Sequence, residues 1–143
     1  MASQDNYAKL LVTMKGVGCL TALAVASEIC DISRFSSYKK LCSYLGLVPS
    51  VYQSSTTERR GHITKQGNAL LRSMLIQDAR VAVRYSKYFK HKYEKLLAKG
   101  VKEKKAIVAI ARRMVVIMYI MLVRNETYVE ERKGEKPVGL LGQ

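Results

Sequence analysis

A chain of 143 residues with 25 Lys and Arg against 11 Asp and Glu has a formal charge of +14 at pH 7, and 48% of its residues are hydrophobic. That length suits one domain and that apolar content suffices for a core, which excludes a disordered basic tail. So large a positive excess makes a polyanion the first partner to expect, nucleic acid ahead of an anionic membrane surface, and moves small neutral substrates down the order.

In chain order, Leu10, Leu11 and Met14 predict a short helix over 6–14, ended by Lys15-Gly16-Val17-Gly18, where two glycines two apart impose a tight turn. Cys19 to Ile29 carries Ala22, Leu23, Ala26 and Ile29 on one stripe, a second helix that packs back on the first through small residues, so the pair reads as an αα-hairpin. Ser36 or Ser37 can cap a helix over Tyr38 to Tyr44, with Gly46 and Pro49 as stop signals. Residues 49–62, PSVYQSSTTERRGH, are polar and without helical period: one long loop. Thr64 can cap the next helix, whose stripe runs Leu70, Leu71, Met74, Leu75, Val81 and Ala82. Ser86 opens another, ending before Gly100, with Tyr88, Phe89 and Leu96 as anchors and Lys90, His91, Lys92 and Lys95 on wet faces. Lys102 to Val123 is the longest helix; its second half is apolar nearly all round and should be the buried centre. The expectation is an all-α domain over 1–128, of about six helices, with a helix-hairpin-helix-like element at its N-terminus, one long polar loop, and a flexible tail over 129–143.

Other classes find little support. Cys19, Cys30 and Cys42 lie in apolar helical text without a C-x-x-C pair, and only His62 and His91 are at hand to complete a metal site. No zinc framework is written, and reduced, buried thiols are expected. The start, MASQDNYAKLL, lacks the features of a signal peptide, and the longest apolar run, Met114 to Val123, is ten residues, short for a bilayer. A cytoplasmic location follows as the expectation.

The turn at Lys15-Gly16-Val17-Gly18 resembles a helix-hairpin-helix motif, in which Gly16 and Gly18 let the backbone approach a phosphate, Lys15 adds charge and the next helix presents free N–H groups. The same residues also make an ordinary interhelical turn. Farther on, Arg59, Arg60, Lys65 and Arg72 follow the hydroxyls of Ser54, Ser55, Thr56 and Thr57. A serine oxygen can attack a phosphodiester if a base takes its proton and arginines neutralise the developing charge. His62 is the nearest conceivable base; equally, a polar basic loop is an ordinary surface feature. Without a G-x-S-x-G elbow, a P-loop or a paired acidic motif, acyl transfer, NTP hydrolysis and glycosidase chemistry are unsupported. Lys105 and Arg112, seven apart, share one side of the last helix with Arg113 turned by about 100°, so the three could line a basic groove. Alternatively Arg112 and Arg113 snorkel, or pair with Glu94 or Asp78. Tyr52, Tyr85 and Tyr88 either stack bases or cap the core.

Four blocks in succession, LVTMKGVGCLTALAVASEI, RFSSYKKLCSYLGLVPS, SSTTERRGHITKQGNALLRSML and KKAIVAIARRMVVIMYIML, carry a family likeness over about residues 8 to 128. They resemble the C-terminal transposase domain of the DEDD-type insertion-sequence transposases, the insertion-sequence one-ten family of bridge-RNA-guided recombinases. The resemblance implies a bacterial or archaeal, nucleoid-associated protein that cuts and rejoins DNA. In the family a RuvC-like domain with four acidic residues and a divalent metal works with a serine of this C-terminal domain, which links covalently to DNA. The matching position is Ser54. The family has a Ser-Gly pair there, this chain has Ser54-Ser55, and Ser55 is the reserve. Arg59, Lys65, Asn68 and Arg72 match polar positions of the same block and are implied to hold the scissile phosphate and the nucleic-acid backbone. No acidic RuvC-like domain is written in these residues, so no metal or other cofactor is expected in this chain. Implied partners are DNA, a guide RNA and the RuvC-like domain, with self-association also conceivable. The chain by itself should bind better than it cuts. A non-catalytic nucleic-acid-binding module and a basic scaffold of a ribonucleoprotein particle are the rival readings.

Overall fold

The computed structural model describes residues 2–47 and 66–130, with side chains over 4–47 and 69–130. Among the described residues the chain is all-helical: α1 (Ala2–Leu11), α2 (Cys19–Ile29), a 3-10 turn (Ile32–Arg34), α3 (Tyr38–Tyr44), α4 (Gln66–Tyr85), α5 (Lys87–Ala98) and α6 (Glu103–Arg124).

The hub is α6. Ile110, Met114, Ile117, Met118 and Met121 are fully enclosed on it, and α1, α3, α4, α5 and the 3-10 turn all pack against it. By length and apolar content alone this helix is sufficient to cross a bilayer, more than the ten-residue run suggests. Its apolar surface is instead taken up by the other helices, as the all-round hydrophobic pattern predicts for a core helix. It ends at Asn125, whose left-handed backbone (φ +58°) is a conformation that Asn tolerates better than most residues.

Local signals set most of the other boundaries. The Ser37 side chain accepts from Lys40 N, and Ser86 accepts from Phe89 N at 3.2 Å, each satisfying an amide that a helix start leaves without a partner. Past α3, Gly46 adopts φ +76°, letting Leu47 N donate to Cys42 O at 2.9 Å and Gly46 N to Ser43 O at 3.0 Å. This is a Schellman ending, and it delivers Leu45 and Leu47 into the core.

Several expectations need correction. The first helix stops at Leu11, not Met14; Thr13 and Met14 form a turn through bonds to Leu10 O and Leu11 O, and Met14 is buried from that turn. Leu23 and Leu70 are exposed although both were assigned to buried stripes. The buried faces are Thr21, Ala22, Val25, Ala26 and Ile29 on α2, and Leu71, Leu75, Ala79 and Ala82 on α4. Each outlier sits one residue, roughly 100°, away from its stripe. Cys19 and Cys30 are exposed because they flank the buried face of α2, while Cys42 is buried and its thiol is pushed up to about 11 by loss of solvent. Beyond α6 the chain folds back: Tyr128 is buried and donates its N–H to Thr13 Oγ1 at 2.8 Å, so packing extends past the expected tail boundary to Glu130.

Candidate nucleic-acid interface

The Lys15-Gly16-Val17-Gly18 turn joins α1 to α2 and lies on α4. Gly16 has φ +94°, and a Cβ there would stand 2.8 Å from Asp78 O and 2.9 Å from Ala82 Cβ. Its lack of a side chain therefore serves close approach to α4, inward. Gly18 differs: nothing lies within 4 Å of its Cβ position, its backbone is extended, and it precedes α2 without a side-chain cap. The first amides of α2 thus have no intrahelical acceptor. Beneath the turn the Asp78 carboxyl is raised above its ordinary range by burial, opposed by a bond from Thr21, and its Oδ2 has no partner among the described residues. Lys15 is ion-paired to Glu130 at 3.8 Å. The same carboxylate accepts from Ser86 Oγ, from Lys87 N at 2.9 Å and from Tyr128 OH at 3.2 Å. One anion therefore caps the start of α5, holds the returning chain and offsets the cation of the turn.

Arg72, half-buried near the start of α4, lies over the end of α3; a Cβ on Gly46 would meet its Nη1 at 2.9 Å. This guanidinium stands where the chain enters residues 48–65. Ser54, Ser55, Arg59, Arg60 and Lys65, together with Tyr52, His62 and Thr64, lie outside the described residues. Asn68 belongs to the first turn of α4, and its side chain is also outside them.

A further concentration of charge lies elsewhere. A cleft of about 370 Å³ between α5 and α6 is lined by Lys92, Lys95, Lys99, Arg112 and Arg113, with Tyr38 from the start of α3. Among the described residues neither Asp nor Glu lines it. Lys92 and Lys95 of α5 and Lys99 just past its end, spaced by three and four, line the same cleft as the adjacent arginines of α6. Among the described residues Arg112 and Arg113 form no ion pair with Glu94 or Asp78, so the pairing alternative is not realised. Lys105 is exposed but is not part of the lining, so the three-residue groove read from α6 becomes a five-cation cleft shared with α5. Sequence reasoning placed Lys92 and Lys95 only on wet faces; the spacing that joins them to Lys99 was visible, but which helix faced it was not. Tyr88 is half-buried with an enclosed hydroxyl, its ring 5.6 Å from Lys92 Nζ, and so caps the core, whereas Tyr85 is exposed. Burial raises the Tyr88 phenol and the nearby Arg113 opposes that rise.

Chemically, the cleft gathers five basic side chains, and among the described residues its lining includes no Asp or Glu. No group of three or more His, Cys, Asp or Glu side chains able to hold a metal occurs among the described residues.

The sequence profile of the IS116/IS110/IS902 transposase family matches residues 8–94. The chain is 37% identical over 132 residues to the transposase for insertion sequence element IS1111A of Coxiella burnetii, covering 90% of this chain and 36% of that protein. It is 34% identical over 127 residues to the pilin gene-inverting protein of Moraxella bovis, covering 87% and 39%. To an insertion element IS110 uncharacterized 43.6 kDa protein of Streptomyces coelicolor it is 28% identical over 123 residues, covering 86% and 30%. The chain thus spans roughly a third of the length of these curated relatives. No solved structure matches it. With the profile covering more than half of its residues, the chain belongs to the IS116/IS110/IS902 family of transposases.

Proposed function

We propose that this chain is the C-terminal, strand-transfer domain of an insertion-sequence recombinase. It holds DNA and a guide RNA, and it works with a RuvC-like partner domain that supplies the divalent-metal half of the chemistry. The observation that carries the reading is the cleft lined by five cations and, among the described residues, by no carboxylate, on a chain whose relatives are named for transposition and for inverting a pilin gene. Converging like charges oppose folding unless a polyanion meets them, and phosphates are the anions such an enzyme handles.

In this proposal Ser54, with Ser55 in reserve, is the nucleophile. Its hydroxyl gives its proton to a base, for which His62 is the nearest candidate in sequence. An Oγ–P bond forms as the bond from phosphorus to a deoxyribose oxygen breaks, and that oxygen leaves with a proton. Arg59, Arg60, Lys65, Asn68 and Arg72 hold the phosphate and spread its charge. Arg72 is already at the mouth of this segment, against Gly46. The open start of α2 at Gly18 offers a further backbone contact to a phosphate, with Lys15 beside it once Glu130 lets go. Whatever metal chemistry the reaction needs belongs to the partner domain.

The test uses a full-length family member carrying this segment and a DNA substrate that traps covalent adducts. Ser54→Ala is expected to abolish the protein–DNA adduct while DNA binding persists, with Ser55→Ala close to wild type. Undiminished adducts in both single variants and in the double variant would leave the chain as the rival binding module.

A further inference from the structure

The α5–α6 cleft is not only charged. Between its cations the part-exposed side chains of Leu96 of α5 and Ala109 of α6 form an apolar wall over the buried Ile110 and Val116, with Tyr38 also in the lining. A site for phosphates alone has no use for such a floor, since exposed cations on a ridge meet a duplex backbone equally well. An intact duplex keeps its bases stacked inside and brings only phosphates to a protein surface, so it would touch the rim and leave the floor empty. At about 370 Å³ the cleft lies at the small end of the ~300–1,000 Å³ range of ligand clefts. That is the scale of one nucleotide and not of a double helix. Lys95 in the last turn of α5 and Lys99 capping its end are four residues apart, ~6 Å along the helix axis, about the step between successive phosphates of an extended strand.

We infer that this cleft is a binding site for one unpaired nucleotide of a single strand, with the base against Tyr38 and the apolar floor and the flanking phosphates on Lys95, Lys99, Arg112 and Arg113. The inference deepens the nucleic-acid reading above and rests on it. It assigns a strand-holding role to residues outside the serine segment: Tyr38 opens α3, whereas Gly46 and Arg72 mark its other end, where the chain enters residues 48–65. Combining a stacking surface with flanking cations is the general way in which proteins hold single strands without reading their sequence.

The experiment is fluorescence anisotropy of the whole chain with three probes: a short oligothymidylate, the matching oligouridylate, and a DNA duplex of the same length. Lys95→Gln with Lys99→Gln changes two exposed side chains, and Tyr38→Leu keeps apolar bulk, with circular dichroism verifying the fold of each. Tyr38→Leu is expected to weaken single-strand binding about tenfold, as loss of a stacked base does, and to leave duplex binding within about twofold. The double lysine variant should reduce the dependence of log K on log salt for single strands by about 1.4, at about 0.7 per released counterion. The larger loss, on the DNA or the RNA strand, names the source of the nucleotide. Equal losses on strand and duplex, or none with Tyr38→Leu, would overturn the inference and leave the proposed function standing. Failure of all three probes to bind would remove both.

Discussion

Positive charge stands both at the Lys15-Gly16-Val17-Gly18 turn, on Lys15 alone, and in the cleft between α5 and α6, but the two places are built differently. At the turn, Lys15 is matched by Glu130 and Gly16 is spent on contact with α4. The cleft is lined by five cations, and among the described residues no acid lines it. A motif that looks made for phosphate is thus partly committed to holding the fold together. Residues that form no motif at all supply the basic lining of the cleft. The lesson is that a glycine pair reports the need for close approach, while only the tertiary structure says what approaches.

The sharpest way to break this comparison is at the glycines. Gly16→Ala forces a side chain into a positive-φ position against the backbone of Asp78 and should cost about 2–4 kcal/mol, read by denaturant unfolding. Gly18→Ser, in open space ahead of α2, should be neutral or stabilise by a few tenths of a kcal/mol through capping. Equal losses at both positions would mean that the turn does not lean on α4 as described. Next in size is Glu130→Gln, which weakens the hold on Ser86, Lys87 and Tyr128. It should cost about 1–2 kcal/mol, and by freeing Lys15 it should also raise nucleic-acid affinity at low salt. A variant that lost stability and affinity together would contradict the idea that Glu130 masks the turn.

Thiol chemistry checks the packing on either side of α2 and α3. In the native protein Cys19 and Cys30 should label rapidly, while Cys42, buried and with its thiol pushed up to about 11, should react only on unfolding. Mass spectrometry of a timed labelling reaction reads all three sites. The smallest effect is at Asp78. Burial raises its native pKa above the unfolded value, so the native state holds its proton more tightly. Its contribution to stability is best below the ordinary Asp value of 3.8 and is lost as pH rises through the native pKa. Asp78→Asn should therefore melt above wild type at neutral pH, with the gap closing as pH falls into the ordinary Asp range. A gap that widened toward acid would reverse the sign and refute the assignment.

Much of the architecture was legible because it is written locally. Ser37, Ser86, Gly46 and Gly100 bounded helices through capping and backbone rules, and the all-round apolar second half of α6 announced a core helix. What escaped was what depends on contacts distant in sequence. Cys19 and Leu70 read as buried because apolar neighbours surround them in the chain, yet a rotation of one residue turned each outward. Ser86 read as a cap, which it is, but its bond to Glu130, 44 residues away, had no local signature. Arg112 and Arg113 were found on α6, whereas the lysines that complete their cleft lie on another helix. Of the segment proposed to react, only the flanks at Gly46 and Arg72 fall in the described residues; the proposed roles of Ser54 and its neighbouring cations rest on the family likeness.

The most direct test of the central claim, that the basic side chains between α5 and α6 hold the nucleic-acid backbone, is a salt titration of binding by wild type and by Arg112→Gln with Arg113→Gln. Wild type should show a steep linear fall of log K with log salt, and the variant should lose about 1.4 from that slope on single strands, or about 1.8 on duplex DNA, with its fold intact by circular dichroism. Parallel lines for the two proteins, or a flat response in wild type, would contradict the claim.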